Sequence, residues 1–294
     1  VSREIRFVGS MGARYRLRCN PLTAISPEFR RKLLEERDEA RKDSRLKARF
    51  LSYRLNVPSG DESTMLLTVD DWQRVLARPV PPREGRPIFA YDLGGGRAWS
   101  AGVAIWQTGR VEAVAVAPGI PDLGEQEKRD RVPRGTYRVL TESGALRVIE
   151  GLRVQPPAEL HRACVGAWGP PAAVLCDRFR MGELMDAVTE CPVEPRVSRW
   201  SEAAFDIRAL RKRAADGPLA CAEGSRPLLG ASLAVAMVKN DDQGNTRLAK
   251  RGSSNEARDD VAAALVLAAG AYERAMSAPK PRVRYHGVAG GAAA

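Results

Sequence analysis

The sequence predicts an α/β fold in which a mixed β-sheet is flanked by helices and preceded by a mainly helical N-terminal extension. Residues 88–106, IFAYDLGGGRAWSAGVAIW, hold two apolar runs joined by a glycine-rich turn, and VEAVAVAP follows closely. Three strands in an antiparallel meander are therefore expected. PPAAVLCDRF is a further buried strand, and the helix MGELMDAVTEC follows it. EARDDVAAALVLAAGAYERAMSA is a long helix, apolar on nearly all sides in its middle, so it must be buried.

The N-terminal extension differs in its residue pattern from the rest of the chain. REIRFVG and ARYRLRC are typical of short strands. A serine and Pro27 then supply the N-cap and first-turn proline of a long polar helix. Its charges alternate in sign, which favours a solvated face lying on a neighbour over direct DNA contact. A shorter helix follows Thr68 and Asp71, which form a T-x-x-D capping box. The proline-rich residues 78–87 are the expected linker.

Three segments follow from this division. Residues 1–80 form the extension, residues 81–280 form the α/β domain, and residues 281–294 are a flexible basic tail. Within the α/β domain, residues 122–160 stay ambiguous between helix and strand, and ASLAVAMVKND fits either a strand or a buried helix. RWSEAAFDIRALRKRAADG is predicted to be helical. Because translated chains do not normally start with Val1, we expect a fragment of a longer chain, N-terminal processing or an omitted tag.

The charge balance favours a polyanionic partner. Lys and Arg number 47 against 36 acidic residues, and the formal net charge is +11. Nucleic acid is the first candidate, although an arginine-heavy, GC-rich genome would produce the same excess. The five cysteines form no C-x-x-C pair and only two histidines are present, which disfavours a zinc site and suits a reducing cytoplasm. No run of about 18 apolar residues and no signal-peptide pattern occurs, so no membrane partner is expected.

Several aspartates stand where apolar elements begin or end. Asp92 ends the run IFAY, Asp177 ends AAVLC, and Asp259 and Asp260 open the buried final helix, where the helix dipole favours negative charge. Carboxylates that share divalent cations are stabilised by the charge of those cations. If these aspartates converge on one edge of the sheet, they would hold two Mg²⁺ or Mn²⁺ ions about 4 Å apart, as needed for the attack of water on a phosphodiester. Each aspartate alone also fits an ordinary turn or helix cap.

The glycines after Asp92 allow a different interpretation. The chain has no G-x-x-x-x-G-K-[ST] loop, and a strand rather than a helix follows the glycines, so neither a P-loop nor a dinucleotide site is expected. The strand–DLGGG–strand hairpin is similar to the phosphate loop of the actin and Hsp70 type ATPases. Those proteins carry two related lobes with such a hairpin in each, whereas this sequence offers one. An ATP-binding module of that kind is an alternative function.

Three spaced motifs resemble those of one protein family. DLGGGRAWSA resembles the first acidic motif of the nuclease domain of phage terminase large subunits, the DNA-packaging motor proteins, and VLCDRF resembles the second. VKNDDQGNTRLAKRGSSNEARDDVAAALVLAAG is similar to the third, in which an Asp opens an alanine-rich helix. FLSYRLN, before a Trp-containing helix, is similar to the segment that connects the motor ATPase to the nuclease. The resemblance covers most of the chain.

The resemblance implies an RNase H-like fold with a five-stranded mixed sheet. It carries the metal-ligand role to Asp92, Asp177 and Asp260. Ala98 stands where many relatives have an acid, so no auxiliary metal role is expected there. Asp259 stands where relatives usually have an apolar residue, which leaves the choice between Asp259 and Asp260 open.

The activity that the resemblance implies is that of a metal-dependent endonuclease of low sequence specificity. It would cut concatemeric double-stranded phage DNA at the start and end of packaging with two Mg²⁺ or Mn²⁺ ions, and without ATP hydrolysis by this chain. The implied partners are the ATPase domain of the intact protein, the portal and the small terminase subunit, and the implied location is the host cytoplasm at the viral prohead. A packaging-motor interaction module with weak nuclease activity is a further alternative.

Basic residues near the acidic motifs are the candidate DNA contacts, because neutralised phosphates supply most non-specific affinity. They are Arg97, Lys239, Arg247, Lys250 and Arg251. A solvated basic loop is an equally open interpretation for those that flank the third acid.

Other side chains near the motifs are expected to have structural or solvent-facing roles. Trp99 and Trp106 are predicted to pack against the sheet rather than stack on bases. His161 is interpreted as a structural or surface residue, since metal-activated water needs no separate general base. Glu183 and Asp186 are predicted to face solvent, with a supporting role near the metal as the alternative.

Overall fold

The structure is a computed structural model. It describes residues 27–40, 50, 65–94, 98–119, 122–130, 132, 134–149, 156–178, 180–196, 199–249 and 259–277. The strands expected before residue 20 and the tail from residue 281 lie outside the described residues.

Three consecutive strands form the antiparallel meander that the sequence predicts. They are β1 (Ile88–Asp92), β2 (Ser100–Ile105) and β3 (Arg110–Pro118). β2 pairs with β1 on one side and with β3 on the other, and it is buried along its whole length. A strand covered on both faces reads as a continuous apolar run, which explains why SAGVAI shows no alternation.

Four further strands extend the sheet: β4 (Leu146–Ile149), β5 (Ala173–Asp177), β6 (Val193–Arg196) and β7 (Ala220–Cys221). The order is β4-β3-β2-β1-β5-β6, and β7 pairs with the start of β3. β1, β5 and β6 are mutually parallel and end at the same edge. The expectation of five strands was wrong, because the described part of the sheet has seven. β6 and β7 are too short to show a hydrophobic period.

Nine α-helices lie in the described ranges, and several of them pack on the two faces of the sheet. Their bounds are α1 (Pro27–Ala40), α2 (Val69–Ala77), α3 (Leu123–Arg129), α4 (Thr136–Glu142), α5 (Pro157–Trp168), α6 (Met181–Met185), α7 (Trp200–Ala215), α8 (Arg226–Leu233) and α9 (Asp260–Ser277). A separate hairpin consists of β8 (Val238–Asn240) and β9 (Thr246–Leu248). None of the helices in the described ranges is long and apolar enough to cross a membrane.

α9 is the buried helix that the sequence predicts. It packs against β1, β2 and β5 on one side and against α7 on another. The contact with α7 is so close that a Cβ on Gly270 would lie 1.9 Å from Oδ1 of Asp206. Asp206 is itself buried and accepts hydrogen bonds at 2.7 Å from both Arg196 and Arg274. This network fixes the end of β6, α7 and α9 relative to one another.

The extension and the α/β domain share one core. Thr68 caps α2 as predicted, since its hydroxyl accepts the backbone N–H of Asp71 at 3.1 Å. Trp72 and Val75 of α2 are buried in the same cluster as the sheet residues that face α9. The division of the chain at residue 80 stays a prediction.

The proline-rich residues 78–87 lie against the domain through their arginines. Arg78 donates to four backbone carbonyls at and just beyond the end of α7. Arg83 and Arg110 both donate to the buried Glu112, at 2.6–2.7 Å. Burial opposes ionisation of Glu112, but these hydrogen bonds outweigh it and lower the pKa of its carboxyl.

The described parts of the segments that the sequence left ambiguous have definite structures. TYRVLTE forms α4, and the following LRVI forms β4. Glu127 of α3 accepts the backbone N–H groups of Gly135 and Tyr137 at 2.7 Å, which satisfies donors at the start of α4. ASLAVAMVKND divides between the end of α8 and β8. The helix expected over MGELMDAVTEC is shorter than predicted, since α6 has five residues.

Candidate active site

Asp92 and Asp177 lie next to each other at one edge of the sheet. They are the last residues of β1 and β5, which are parallel with Tyr91 opposite Cys176. The aspartates are the next pair in this register, and neighbouring strands are about 4.8 Å apart. Both aspartates are partly exposed. The structure therefore brings together two of the carboxylates that the sequence singled out.

The two aspartates belong to the face of the sheet that α9 covers. Successive side chains of a strand alternate between faces. Tyr91 and Cys176, one position earlier, pack in the cluster on the α5 side. Ala90 and Leu175, two positions earlier, pack in the core that includes α9. Alternation thus directs the two carboxylates toward the α9 side.

α9 runs so that its first residue lies toward the same edge. The hydroxyl of Tyr272 donates to the carbonyl of Gln107 at 2.6 Å, and Gln107 follows β2, at the edge where β1 begins. Asp260, twelve residues earlier, lies about 18 Å back along the helix axis. Near it, the backbone N–H of Ala262 donates to the Ser232 hydroxyl at 3.0 Å. The start of α9 is thereby fixed against α8.

Asp259 and Asp260 occupy different positions in the first turn of α9. The carbonyl of Asp259 accepts the N–H of Ala263 at 2.8 Å, so Asp259 is the capping residue and Asp260 is the first helical one. Both side chains are partly exposed, and the Oδ2 atom of Asp260 is buried. The choice of third ligand stays a prediction.

The donor set suits a hard divalent cation, because Mg²⁺ and Mn²⁺ prefer carboxylate oxygens. The positive end of the α9 dipole also favours negatively charged groups at this position. Within the described ranges, no three His, Cys, Asp or Glu side chains stand close enough together to hold a metal ion. The three-carboxylate metal site therefore stays a prediction, which two adjacent strand ends and the direction of α9 support.

Two of the candidate DNA contacts lie on the β8–β9 hairpin. Lys239 and Arg247 are directly opposite each other in its register, and Lys239 is exposed. The guanidinium of Arg247 lies 4.0 Å from the ring centroid of Trp200, at the start of α7, within the range of a cation–π contact. Arg97, Lys250 and Arg251 lie outside the described residues.

The remaining candidates have structural or solvent-facing roles. Trp99 and Trp106 are buried in the core, as predicted. His161 is buried between Tyr91 and Glu190, with its ring nitrogens 2.9 Å from the Tyr91 hydroxyl and 2.6 Å from a Glu190 oxygen.

The two acidic residues that follow β5 in the sequence face solvent, as predicted. Glu183 and Asp186 are exposed, and Glu183 pairs with Arg180. Arg180 was not identified from the sequence, although it also donates to the carbonyl of Gly94, two residues after Asp92. A single arginine between two loops follows no spacing pattern that would have revealed it.

Known structures provide the comparison at the level of fold. No protein-family model matches the chain, and no curated protein matches it. The chain is similar to the HK97 bacteriophage large terminase, with a TM-score of 0.58 and 18% sequence identity over 90% of this chain and 55% of that one. It therefore spans about half the length of that terminase. The mixed α/β architecture matches the RNase H-like fold expected from the sequence.

Weaker likenesses involve isolated nuclease domains. The large terminase nuclease from thermophilic phage G20c, in a form with bound magnesium, has a TM-score of 0.43 and 13% identity over 70% of this chain and 96% of that one. The nuclease domain of the large terminase subunit of bacterial virus Sf6 has a TM-score of 0.38 and 11% identity over 70% of this chain and 98% of that one.

Proposed function

We propose that this chain is a metal-dependent endonuclease that cuts double-stranded viral DNA during genome packaging. The observation that carries the proposal is the pair Asp92 and Asp177 at adjacent parallel strand ends, on the face covered by a helix that opens with Asp260. The fold shared with the HK97 large terminase supports it, as does the net charge of +11.

The proposed ligands of the divalent cations are Asp92, Asp177 and Asp260, with Asp259 as the alternative third ligand. When bound, Mg²⁺ or Mn²⁺ supplies activation of water and stabilisation of the charge that develops on the phosphodiester. Two features of the fold support this assignment: the β1–β5 ladder brings Asp92 and Asp177 to adjacent strand ends, and the packing of α9 on the sheet directs its first residue toward the same edge. A preorganised arrangement avoids reorganisation during the reaction.

DNA binding is proposed to rest on basic side chains that lie near the acidic motifs in the sequence. Lys239 and Arg247 on the hairpin, with Arg97, Lys250 and Arg251, would contact phosphates and release counterions. Contacts of this type position the duplex without reading base sequence. The low sequence specificity expected of the enzyme follows from them.

Partners and location belong to the same proposal. In a packaging assembly the nuclease would act with an ATPase domain, a portal and a small terminase subunit, in the host cytoplasm at the prohead. A packaging-motor interaction module with weak nuclease activity would instead bind portal or capsid protein and show no metal-dependent cutting.

The test is a plasmid-nicking assay with Mg²⁺ or Mn²⁺. We expect Asp92→Asn, Asp177→Asn and Asp260→Asn each to lower the cutting rate by at least about a hundredfold. Asp70→Asn is the matched control, because Asp70 is an exposed aspartate in the first turn of α2. Asp259→Asn compared with Asp260→Asn identifies the third ligand.

Two results would redirect the interpretation. If Asp92→Asn cuts as fast as the unsubstituted protein, the catalytic assignment is wrong. If ATP then raises the melting temperature while Mn²⁺ does not, the DLGGG hairpin is a phosphate loop of the actin and Hsp70 type instead.

A further inference from the structure

Arg180 has an unusual backbone conformation close to the candidate site. Its φ of 56° and ψ of 14° are left-handed, and within the described ranges it is the one non-glycine residue with a positive φ. Such a conformation is unfavourable for any residue with a Cβ, so it indicates a local constraint on the backbone at this position. Arg180 comes three residues after Asp177.

The Arg180 side chain joins two loops. Its Nη1 donates to the carbonyl of Gly94 at 2.8 Å. Its Nε and Nη2 donate to the two carboxylate oxygens of Glu183 at 2.8 and 2.7 Å. A bidentate guanidinium–carboxylate pair fixes the orientation of the guanidinium plane, so Glu183 aims the remaining donor at Gly94.

Gly94 offers a well-fixed acceptor. Its N–H donates to the Ser100 hydroxyl at 3.2 Å, in a buried position. A Cβ on Gly94 would lie 1.9 Å from the carbonyl oxygen of Trp99, so the two sides of the β1–β2 turn touch. The bond from Arg180 therefore holds a closed turn that starts two residues after Asp92.

This bond lies beyond the paired part of the two strands. The β1–β5 pairing runs as far as Tyr91 opposite Cys176, and the two aspartates follow. We propose that Arg180 is a positioning residue that fixes the separation of Asp92 and Asp177 by tying the loop after β5 to the turn after β1. The inference rests on the proposed metal-dependent function, because a fixed separation matters most when both carboxylates share a cation.

The residue type supports this role. Glycine would adopt the same backbone conformation without strain, so what arginine adds at this position is the side chain. Lysine would reach one acceptor but has no planar fork with which to engage Glu183 and Gly94 together.

The experiment measures Mn²⁺ binding by calorimetry and amide hydrogen exchange around Gly94. Arg180→Gly keeps the backbone conformation and removes the side-chain bonds to Gly94 and Glu183. We expect Mn²⁺ affinity to fall about tenfold, as for other groups that orient metal ligands, and exchange in the turn after Asp92 to accelerate. At saturating Mn²⁺ the cutting rate should return to within about threefold of the unsubstituted protein, since the ligands themselves remain.

Matched variants separate the possible causes. Arg138→Gln removes an exposed arginine from a pair with Glu142 on α4, and it should leave both readouts unchanged. Glu183→Gln alters the exposed partner of Arg180, so the variant should remain folded. It should weaken Mn²⁺ binding by less than Arg180→Gly does.

The outcomes distinguish this inference from the proposed function. If Asp92→Asn abolishes Mn²⁺ binding while Arg180→Gly binds as tightly as Arg138→Gln, the positioning role is wrong and the metal site stands. If Asp92→Asn does not affect Mn²⁺ binding, the proposed metal site fails. In that case, an unchanged rate of amide hydrogen exchange around Gly94 in Arg180→Gly would show that Arg180 does not hold the turn after β1 either.

Discussion

The contact between α7 and α9 gives a sharp test of how α9 is held in the fold. The perturbation is Gly270→Ala, which adds one methyl group in the middle of α9. That methyl would lie 1.9 Å from Oδ1 and 2.3 Å from Cγ of Asp206. Asp206 is buried and is held by two arginines, so it has little freedom to move aside.

The expected magnitude combines three effects. Overpacking a core costs about 1–3 kcal/mol. Displacing the Asp206 carboxylate also weakens a buried ion-pair network, whose complete loss costs about 3–5 kcal/mol. Replacing glycine by alanine within a helix stabilises the folded state by about 1 kcal/mol. We therefore expect a net destabilisation of about 3 kcal/mol, which corresponds to a fall in Tm of about 6–12 °C for a chain of this size.

Gly166→Ala is the matched control for this prediction. Gly166 is an exposed glycine within α5, and a Cβ there meets nothing within 4 Å. The same chemical change should therefore stabilise the protein by about 0.5–1 kcal/mol. Thermal unfolding followed by circular dichroism measures both variants. Equal melting temperatures for Gly270→Ala and Gly166→Ala would refute the close contact between α7 and α9.

Three further predictions concern other parts of the molecule. Glu112→Gln should lower the free energy of unfolding by about 2 kcal/mol at pH 7 relative to the unsubstituted protein. Because the folded-state pKa of Glu112 is lowered, that difference should be present above the ordinary carboxyl pKa and vanish as the pH falls through the lowered value. Thermal melts across the acid range measure it, and a pH-independent difference would contradict it. Tyr91→Phe removes the hydroxyl partner of the buried His161 and should cost about 1–3 kcal/mol with an unchanged urea m-value; an unchanged midpoint would count against that hydrogen bond. Lys239→Ala should weaken DNA binding equally across sequences and reduce the salt slope by about 1, whereas a slope like that of the unsubstituted protein would exclude a phosphate contact.

The sequence predicted those parts of the fold that depend on local patterns. The meander from β1 to β3 follows from apolar runs with short connections, and the burial of α9 follows from its apolar middle. β6 was missed because VEPR has little apolar content, and its place in the sheet depends on backbone pairing with β5. α4 was left open because TYRVL fits a strand as well as a helix, and the caps supplied by Glu127 come from a different helix.

The candidate site was predictable in part for similar reasons. Asp92 and Asp177 were recognised as strand ends from the runs that precede them. Their adjacency depends on the parallel register of β1 and β5, which is set by tertiary packing and cannot be deduced from either strand alone. Arg180 was missed because its role arises from a left-handed backbone and a bond to a loop 86 residues away in sequence.

The most direct measurement is anomalous diffraction from a crystal soaked in Mn²⁺, with Asp92→Asn soaked in the same way. The account predicts strong anomalous peaks between Asp92, Asp177 and the first turn of α9 in the unsubstituted protein, and their loss in the variant. Peaks that persist in Asp92→Asn, or an absence of Mn²⁺ at this edge of the sheet in the unsubstituted protein, would contradict the claim that these carboxylates form a metal centre for DNA cleavage.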